Sequence, residues 1–114
     1  MQIIEGAGQW TAPSAGEATD WAEQFEVPAL SVGTYCIPAG GVDDQEPHTE
    51  DEIYVVTAGR ARIATPGDGS VEIGPGSVIF VAAGEDHRFV DIVEDLALLV
   101  LFAPAYGTNS TDAS

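Results

Sequence analysis

From position 30 onward the chain is a series of short apolar runs, each cut off by glycine or proline. LSVGTYCI stops at Pro38-Ala39-Gly40-Gly41, EIYVVTA at Gly59, and RARIAT at Pro66-Gly67-Asp68-Gly69. SVEI stops at Gly74-Pro75-Gly76, SVIFVAA at Gly84, HRFVDI near Glu94-Asp95, and LALLVLFA at Pro104. Runs this short cannot build long helices, and no helical periodicity is present. Strands spaced about 8–12 residues apart with such punctuation predict an all-β antiparallel sandwich or barrel. Pro66-Gly67-Asp68-Gly69 is a hairpin signal. LALLVLFA is apolar on both faces, which suits a central strand covered on each side, or one whose outer face meets another subunit.

With 114 residues the chain has material for one core. Residues 1–28 read as an N-terminal arm with an edge strand over residues 2–5, then irregular chain with one helical turn near residues 20–24. Residues 29–106 read as the β-barrel, and the small, polar residues 107–114 as a flexible tail. Trp10 and Trp21 read as packing anchors, in the core or at a subunit contact.

Charge narrows the partners. Three arginines and no lysine stand against 19 acidic residues, for a formal charge of −16. Such a surface repels phosphate backbones and anionic lipid, which argues against nucleic-acid and membrane binding. It fits either a salt-adapted cytoplasm, where screening relieves the self-repulsion, or an ordinary acidic protein from a GC-rich genome. No apolar run is long enough for a membrane helix, and the first ten residues lack the basic start of a signal peptide. Cys36 stands alone, so an internal disulfide is excluded and a reducing, cytoplasmic setting is expected. It reads as a small buried hydrophobe, or, if it faces the cavity, as a soft ligand or oxidation target.

The chemistry sits in two stretches. In Gln45-Glu46-Pro47-His48-Thr49-Glu50-Asp51-Glu52-Ile53-Tyr54, Glu46, His48 and Glu52 are separated by even offsets. On an extended chain even offsets share a face, while Gln45 is sent to the other face. A carboxylate and an imidazole converging inside a barrel are costly unless something pairs with them, and a divalent metal would. In Gly76-Ser-Val-Ile-Phe-Val-Ala-Ala-Gly84-Glu-Asp-His87-Arg-Phe-Val-Asp91, a tight turn leads to a strand on which His87, Phe89 and Asp91 share a face. Asp43, Asp44, Glu50 and Asp51 crowd the mouth of the proposed site, as solvated surface or as a field attracting cations.

Together these stretches resemble the cupin superfamily. Its first motif, G-x5-H-x-H-x3-4-E-x6-G, is met by Gly40, His48, Glu52 and Gly59, with Glu46 in the first histidine position. Its second, G-x5-P-x-G-x2-H-x3-N, is met by Gly76, Gly84 and His87, with Ala82 for the proline and Asp91 for the asparagine. The resemblance implies a single-domain jelly-roll β-barrel and a metal held by His48, Glu52 and His87, with Glu46 as a fourth ligand. A metal-free cupin in which these groups form a hydrogen-bonded polar core is the alternative. A 2-His-1-carboxylate set with open positions suits Fe(II) and dioxygen; with Glu46 added, Mn, Fe or Zn are favoured, and Ni also belongs to the range.

Other roles stay open. Glu46 is a ligand, a rim carboxylate or a base. Tyr54, Phe89, Phe102 and Tyr35 read as core or pocket lining, with the Tyr54 phenol a catalytic candidate as a hydrogen-bond donor to substrate. Ala61 and Ile63 are expected inside and Arg60 and Arg62 outside, although a one-residue shift would aim Arg62 at the pocket. Arg88 is expected outside as a salt-bridge partner. The family implies dioxygenases, isomerases, cyclases and lyases, and fold does not choose among them. The expectation is a metal-dependent enzyme acting on a small organic molecule, dioxygenase-like, in a homodimer. The alternatives are a non-redox isomerase, cyclase or lyase, a non-catalytic binding or sensory protein, and a structural protein without metal.

Overall fold

The computed structural model describes residues 1–110. Eight strands follow one another: β1 Asp20–Val27, β2 Leu30–Ile37, β3 Asp51–Ala58, β4 Ala61–Thr65, β5 Gly69–Ile73, β6 Val78–Val81, β7 Arg88–Val90 and β8 Leu96–Ala103. The seven runs delimited by Gly and Pro became β2 to β8. All pairings are antiparallel. One sheet has the order β1-β2-β8-β3-β6 and the other β5-β4-β7. The sheets are not joined into a closed barrel as expected. They form a jelly roll whose common core takes Tyr35, Ile37, Tyr54, Val56, Leu98 and Phe102 from one sheet and Ala61, Ile73 and Phe89 from the other. The described residues contain no helix long and apolar enough to cross a membrane.

β8 explains its own composition. It lies between β2 and β3, and its inward Leu96, Leu98, Val100 and Phe102 are all buried. Burying each is worth roughly 1.5–3 kcal/mol. On the other face, Ala97 is buried while Leu99 and Leu101 are half-buried. Gly59, which closes the first motif, has φ +89°, and a Cβ there would stand 2.2 Å from the Asp95 carbonyl oxygen. The β3–β4 turn therefore admits only glycine.

The N-terminal region differs from expectation. Residues 2–5 form no strand, and residues 20–24 begin β1 instead of a helical turn. β1 is an edge strand that is largely solvent-exposed and rich in acidic residues, so it lacks the apolar alternation of an interior strand. The register slips between Glu23 and Phe25, and the bulged Gln24 accepts a hydrogen bond from the Thr34 hydroxyl. Ahead of β1 the chain crosses the outer face of the larger sheet. The Gly8 N–H donates to Thr34 Oγ1, the Thr57 hydroxyl donates to the Gly8 carbonyl, and the Thr11 N–H approaches Cys36 Sγ. Cys36 is fully buried beneath this arm, as a small hydrophobe would be, and does not line the cavity described below.

At the other end, part of the expected tail is anchored: the Gly107 and Asn109 N–H groups both donate to the Glu50 carboxylate at 2.9 Å. Residues 111–114 of that segment lie outside the described residues. Ala61 is buried and Arg62 turns outward, its guanidinium donating to the Ser70 hydroxyl and carbonyl, so the unshifted register holds.

Candidate functional site

The link between β2 and β3, residues 38–50, has no strand pairing. Face parity therefore fails there, and Asp43 fixes its path instead. The carboxylate of Asp43 is 1% exposed and accepts hydrogen bonds from the Tyr35 hydroxyl at 2.7 Å, the Phe89 N–H at 2.9 Å and the Gln45 N–H at 3.2 Å. It thus ties the link to β2 and β7 at once. Arg88, expected as an outer ion-pair partner, donates to the Asp43 carbonyl.

Held this way, the link turns Gln45 inward, against the parity expectation. The Gln45 amide nitrogen donates to the Tyr54 hydroxyl at 3.0 Å, and its amide oxygen lies 2.8 Å from His48 Nε2, which donates to it. His48 stands edge-on to Phe102 and Tyr106, with ring centroids 4.8 and 5.3 Å apart. Burial, with His87 nearby, lowers its pKa and keeps it neutral.

Tyr54, from β3, is fully buried, and its hydroxyl lies 2.9 Å from His87 Nε2. His87 immediately precedes β7 and donates from Nδ1 to the Glu85 carbonyl at 3.0 Å, which leaves Nε2 facing the interior. Glu52 Oε1 is 3.3 Å from that same Nε2, and both side chains are 1% exposed. The second oxygen of Glu52 has no hydrogen-bond partner among the described residues. Burial pushes the Glu52 pKa up to about 7, against the opposing pull of the Tyr54 hydroxyl. Burial, with the neighbouring Glu52, also raises the Tyr54 pKa and keeps its phenol protonated.

Of the four residues read from the sequence as ligands, Glu52 and His87 meet. His48 belongs to the same network but engages Gln45. Glu46 is exposed at the rim, lining a shallow depression with Pro47, Thr49 and Glu50. A 3.3 Å separation of Glu52 and His87 donor atoms is compatible with two neighbouring ligands of one ion. Among the described residues, however, no three His, Cys, Asp or Glu side chains gather where they could hold a metal. Asp91 has φ 50°, is exposed, and lines another depression with Arg60 and Arg62.

In front of Tyr54 opens a cavity of about 210 Å³, lined by Trp21, Tyr35, His48, Tyr54, Phe102 and Tyr106, with Gln45, Asp44, Thr19 and Val100. Trp21 of β1 lies flat over Gly33, where a Cβ would come within 2.2 Å of its ring. Tyr106 follows β8 and is carried by the turn that Glu50 anchors. Sequence reasoning missed Tyr106 as part of this site and sent Gln45 to the other face. It placed Asp43 and Glu50 at the mouth, yet both are buried and hydrogen-bonded, while Asp44 and Asp51 are exposed.

A family model for the cupin domain matches residues 33–103, which span every motif residue above. The chain is a cupin. An uncharacterized protein of Streptomyces coelicolor is 48% identical to it over 75 residues, 66% of this cupin and 70% of that protein. Among solved structures, a double-stranded β-helix protein from Klebsiella pneumoniae superposes with TM-score 0.74 at 16% identity, covering 96% of this chain and 92% of that one. The polyketide cyclase RemF from Streptomyces resistomycificus superposes with TM-score 0.68 at 19% identity, covering 86% and 74%. At these identities the structural likeness establishes fold alone.

Proposed function

We propose that this cupin is an enzyme of the non-redox kind, a lyase, isomerase or cyclase, that moves a proton on a small organic molecule held against Tyr54. One observation carries the reading: the Tyr54 side chain forms part of the cavity wall while its hydroxyl lies 2.9 Å from His87 Nε2. As the Tyr54 oxygen takes a proton from the ligand, its own proton passes to His87 Nε2. The Nδ1–H of His87 stays on the Glu85 carbonyl, and Glu52 neutralises the resulting imidazolium. The reverse transfer returns a proton to the product. A carboxyl group brought near neutrality beside an imidazole is suited to such work. The cyclase RemF supports the reading only in that the same fold houses such an enzyme.

The test is solvent deuterium exchange. A panel of small carbonyl and ammonium compounds is incubated with the protein in D2O, and deuterium incorporation is followed by NMR. Tyr54→Phe and His87→Gln should each slow the exchange by about 10²–10⁴-fold. An unchanged rate in Tyr54→Phe would refute the relay. Specific binding without exchange or turnover in any compound would favour the binding or sensory reading.

The unpartnered Glu52 Oε2 favours a second reading, the metal-dependent one. Glu52 and His87 would hold a divalent ion, Fe before Mn, Zn or Ni, with His48 released from Gln45 as the third ligand and Glu46 at the rim as base or outer ligand. Such an ion would polarise a ligand oxygen, and Fe(II) would add dioxygen chemistry. We further take the protein to be a homodimer of the cytoplasm. Ile53, Phe80 and Val78 stay exposed on the outer face of the larger sheet, and the lone thiol suits a reducing compartment.

A further inference from the structure

The cavity in front of Tyr54 has a chemical bias of its own. Five of its lining side chains are Trp21, Tyr35, Tyr54, Phe102 and Tyr106. The Tyr35 hydroxyl at its inner end is engaged on Asp43, and the Tyr54 hydroxyl accepts from Gln45 and faces His87, so beyond one lone pair of the Tyr54 oxygen these residues offer a ligand their rings. None of the three arginines lines the cavity. Arg60 pairs with Glu94, Arg62 reaches Ser70 and Glu72, and Arg88 lies on the Asp43 carbonyl. Among the described residues the lining carries one acidic side chain, Asp44, which accepts a hydrogen bond from the Thr19 hydroxyl at 3.1 Å. Behind the rings sits the buried carboxylate of Asp43.

An anionic ligand would find no counter-charge here and would approach a chain of formal charge −16. A cation finds aromatic faces, whose quadrupoles attract positive charge, together with Asp44 in the lining and the Asp43 carboxylate behind Tyr35. Its volume lies below the roughly 300–1,000 Å³ of pockets for drug-sized ligands, so the ligand has few heavy atoms. We infer that this cavity binds a small organic cation, of the methylated ammonium class, caged by Trp21, Tyr106, Phe102, Tyr35 and Tyr54. The inference rests on reading this cavity as the ligand site, but not on proton transfer.

Trp21 and Tyr106 form the outer part of the cage. They are 40% and 45% exposed, and their ring centroids lie 6.0 Å apart. Trp21 is positioned by the absence of a side chain at Gly33. Truncating either ring leaves the buried core intact, which makes both suitable for testing.

The experiment is calorimetric titration of the full chain, at constant ionic strength, with choline and with its uncharged isostere 3,3-dimethyl-1-butanol. Choline should bind saturably and at least tenfold tighter than the alcohol. Trp21→Leu and Tyr106→Leu should each weaken choline binding at least fivefold with unchanged far-ultraviolet circular dichroism. Gly33→Ala, which displaces the Trp21 ring without deleting it, should weaken choline binding similarly. Equal affinity for the alcohol would overturn the inference in favour of a merely apolar pocket. No saturable choline binding, or choline binding indifferent to both ring truncations, would also overturn it. Binding is read directly, so a failure of the proton relay leaves these outcomes unaffected.

Discussion

His48 and Tyr54 are joined through one side chain: Gln45 accepts from His48 Nε2 at 2.8 Å and donates to the Tyr54 hydroxyl at 3.0 Å. With the 2.9 Å contact between Tyr54 and His87, this gives a continuous hydrogen-bonded path from the cavity rim to the buried Glu52–His87 pair. Gln45→Glu would place a carboxylate where the amide oxygen now meets His48, and a nearby negative charge favours the imidazolium. The His48 titration midpoint, followed by NMR of the imidazole, should rise above its wild-type value. Gln45→Leu should leave both partners short of a hydrogen bond and cost about 1–3 kcal/mol in urea unfolding.

The contrast between Gln45 and Glu52 shows how far the sequence could be read. Glu52 and Tyr54 lie on β3, where alternation holds, and both point inward as their even spacing requires. Gln45 and Glu46 lie in a stretch without strand pairing, so parity assigned them in reverse. The path there depends on Asp43 bonding to residues eight and 46 positions away, which no local pattern reveals. The seven runs that became β2 to β8, edge strands β5, β6 and β7 included, were legible because Gly and Pro mark their ends. β1 was not, because this edge strand carries Asp20, Glu23 and Glu26, is largely exposed and so resembles a loop. Acidic composition concealed the burial of Asp43 and Glu50, whose partners are mostly backbone N–H groups and hydroxyls. A signal for Glu50 existed in the glycine-containing stretch after β8, since exposed turn amides seek acceptors.

Glu50 should control the turn that carries Tyr106. Burial works to raise its pKa, but hydrogen bonds from Thr49, Gly107 and Asn109 outweigh that and hold it below the usual range. A depressed carboxyl contributes stability that is present above its unfolded pKa and lost as pH falls through the folded value. Glu50→Ala should speed hydrogen exchange at the Gly107 and Asn109 amides by tenfold or more at neutral pH. As pH falls below the ordinary carboxyl value of 4.5 and through the lower folded one, the exchange difference between variant and wild type should shrink.

Metal content tests the second functional reading. Protein purified without chelator and measured by inductively coupled plasma mass spectrometry should carry close to one Fe, Mn, Zn or Ni per chain if Glu52 and His87 hold an ion. His87→Ala and His48→Ala should then lower that content at least tenfold, because each removes a ligand. Glu46→Gln should leave the content unchanged, given the exposed position of Glu46.

The outer sheet face offers a test of association. Ile53 pairs with Phe80 on β6 and with Leu101 on β8, forming an apolar row across three strands, and Phe80 is 62% exposed. If a second copy covers this row, Phe80→Asp should convert a dimer to a monomer in sedimentation velocity without altering the circular dichroism spectrum. An unchanged sedimentation coefficient would place any dimer contact elsewhere.

Glu52 should leave a signature in the pH dependence of stability. Its folded pKa is raised from 4.5 to about 7, with burial as the main cause. Between those values the folded state binds more protons than the unfolded one, so stability falls as pH rises. The contribution is fully present below 4.5 and is lost as pH passes through about 7. Its size is of order 3 kcal/mol, since one pKa unit corresponds to about 1.4 kcal/mol. Self-repulsion of the acidic chain also weakens folding over the same range, so the comparison must be with Glu52→Gln, which keeps the shape and cannot ionise. Urea unfolding at steps from pH 4.5 to 8 should show the stability of wild type declining more steeply than that of the variant, with the two curves diverging chiefly between pH 5 and 7. Parallel curves would mean that Glu52 is ionised throughout that range, with its charge compensated by a protonated His87 or by a bound ion. Metal analysis of the same samples would separate those two explanations.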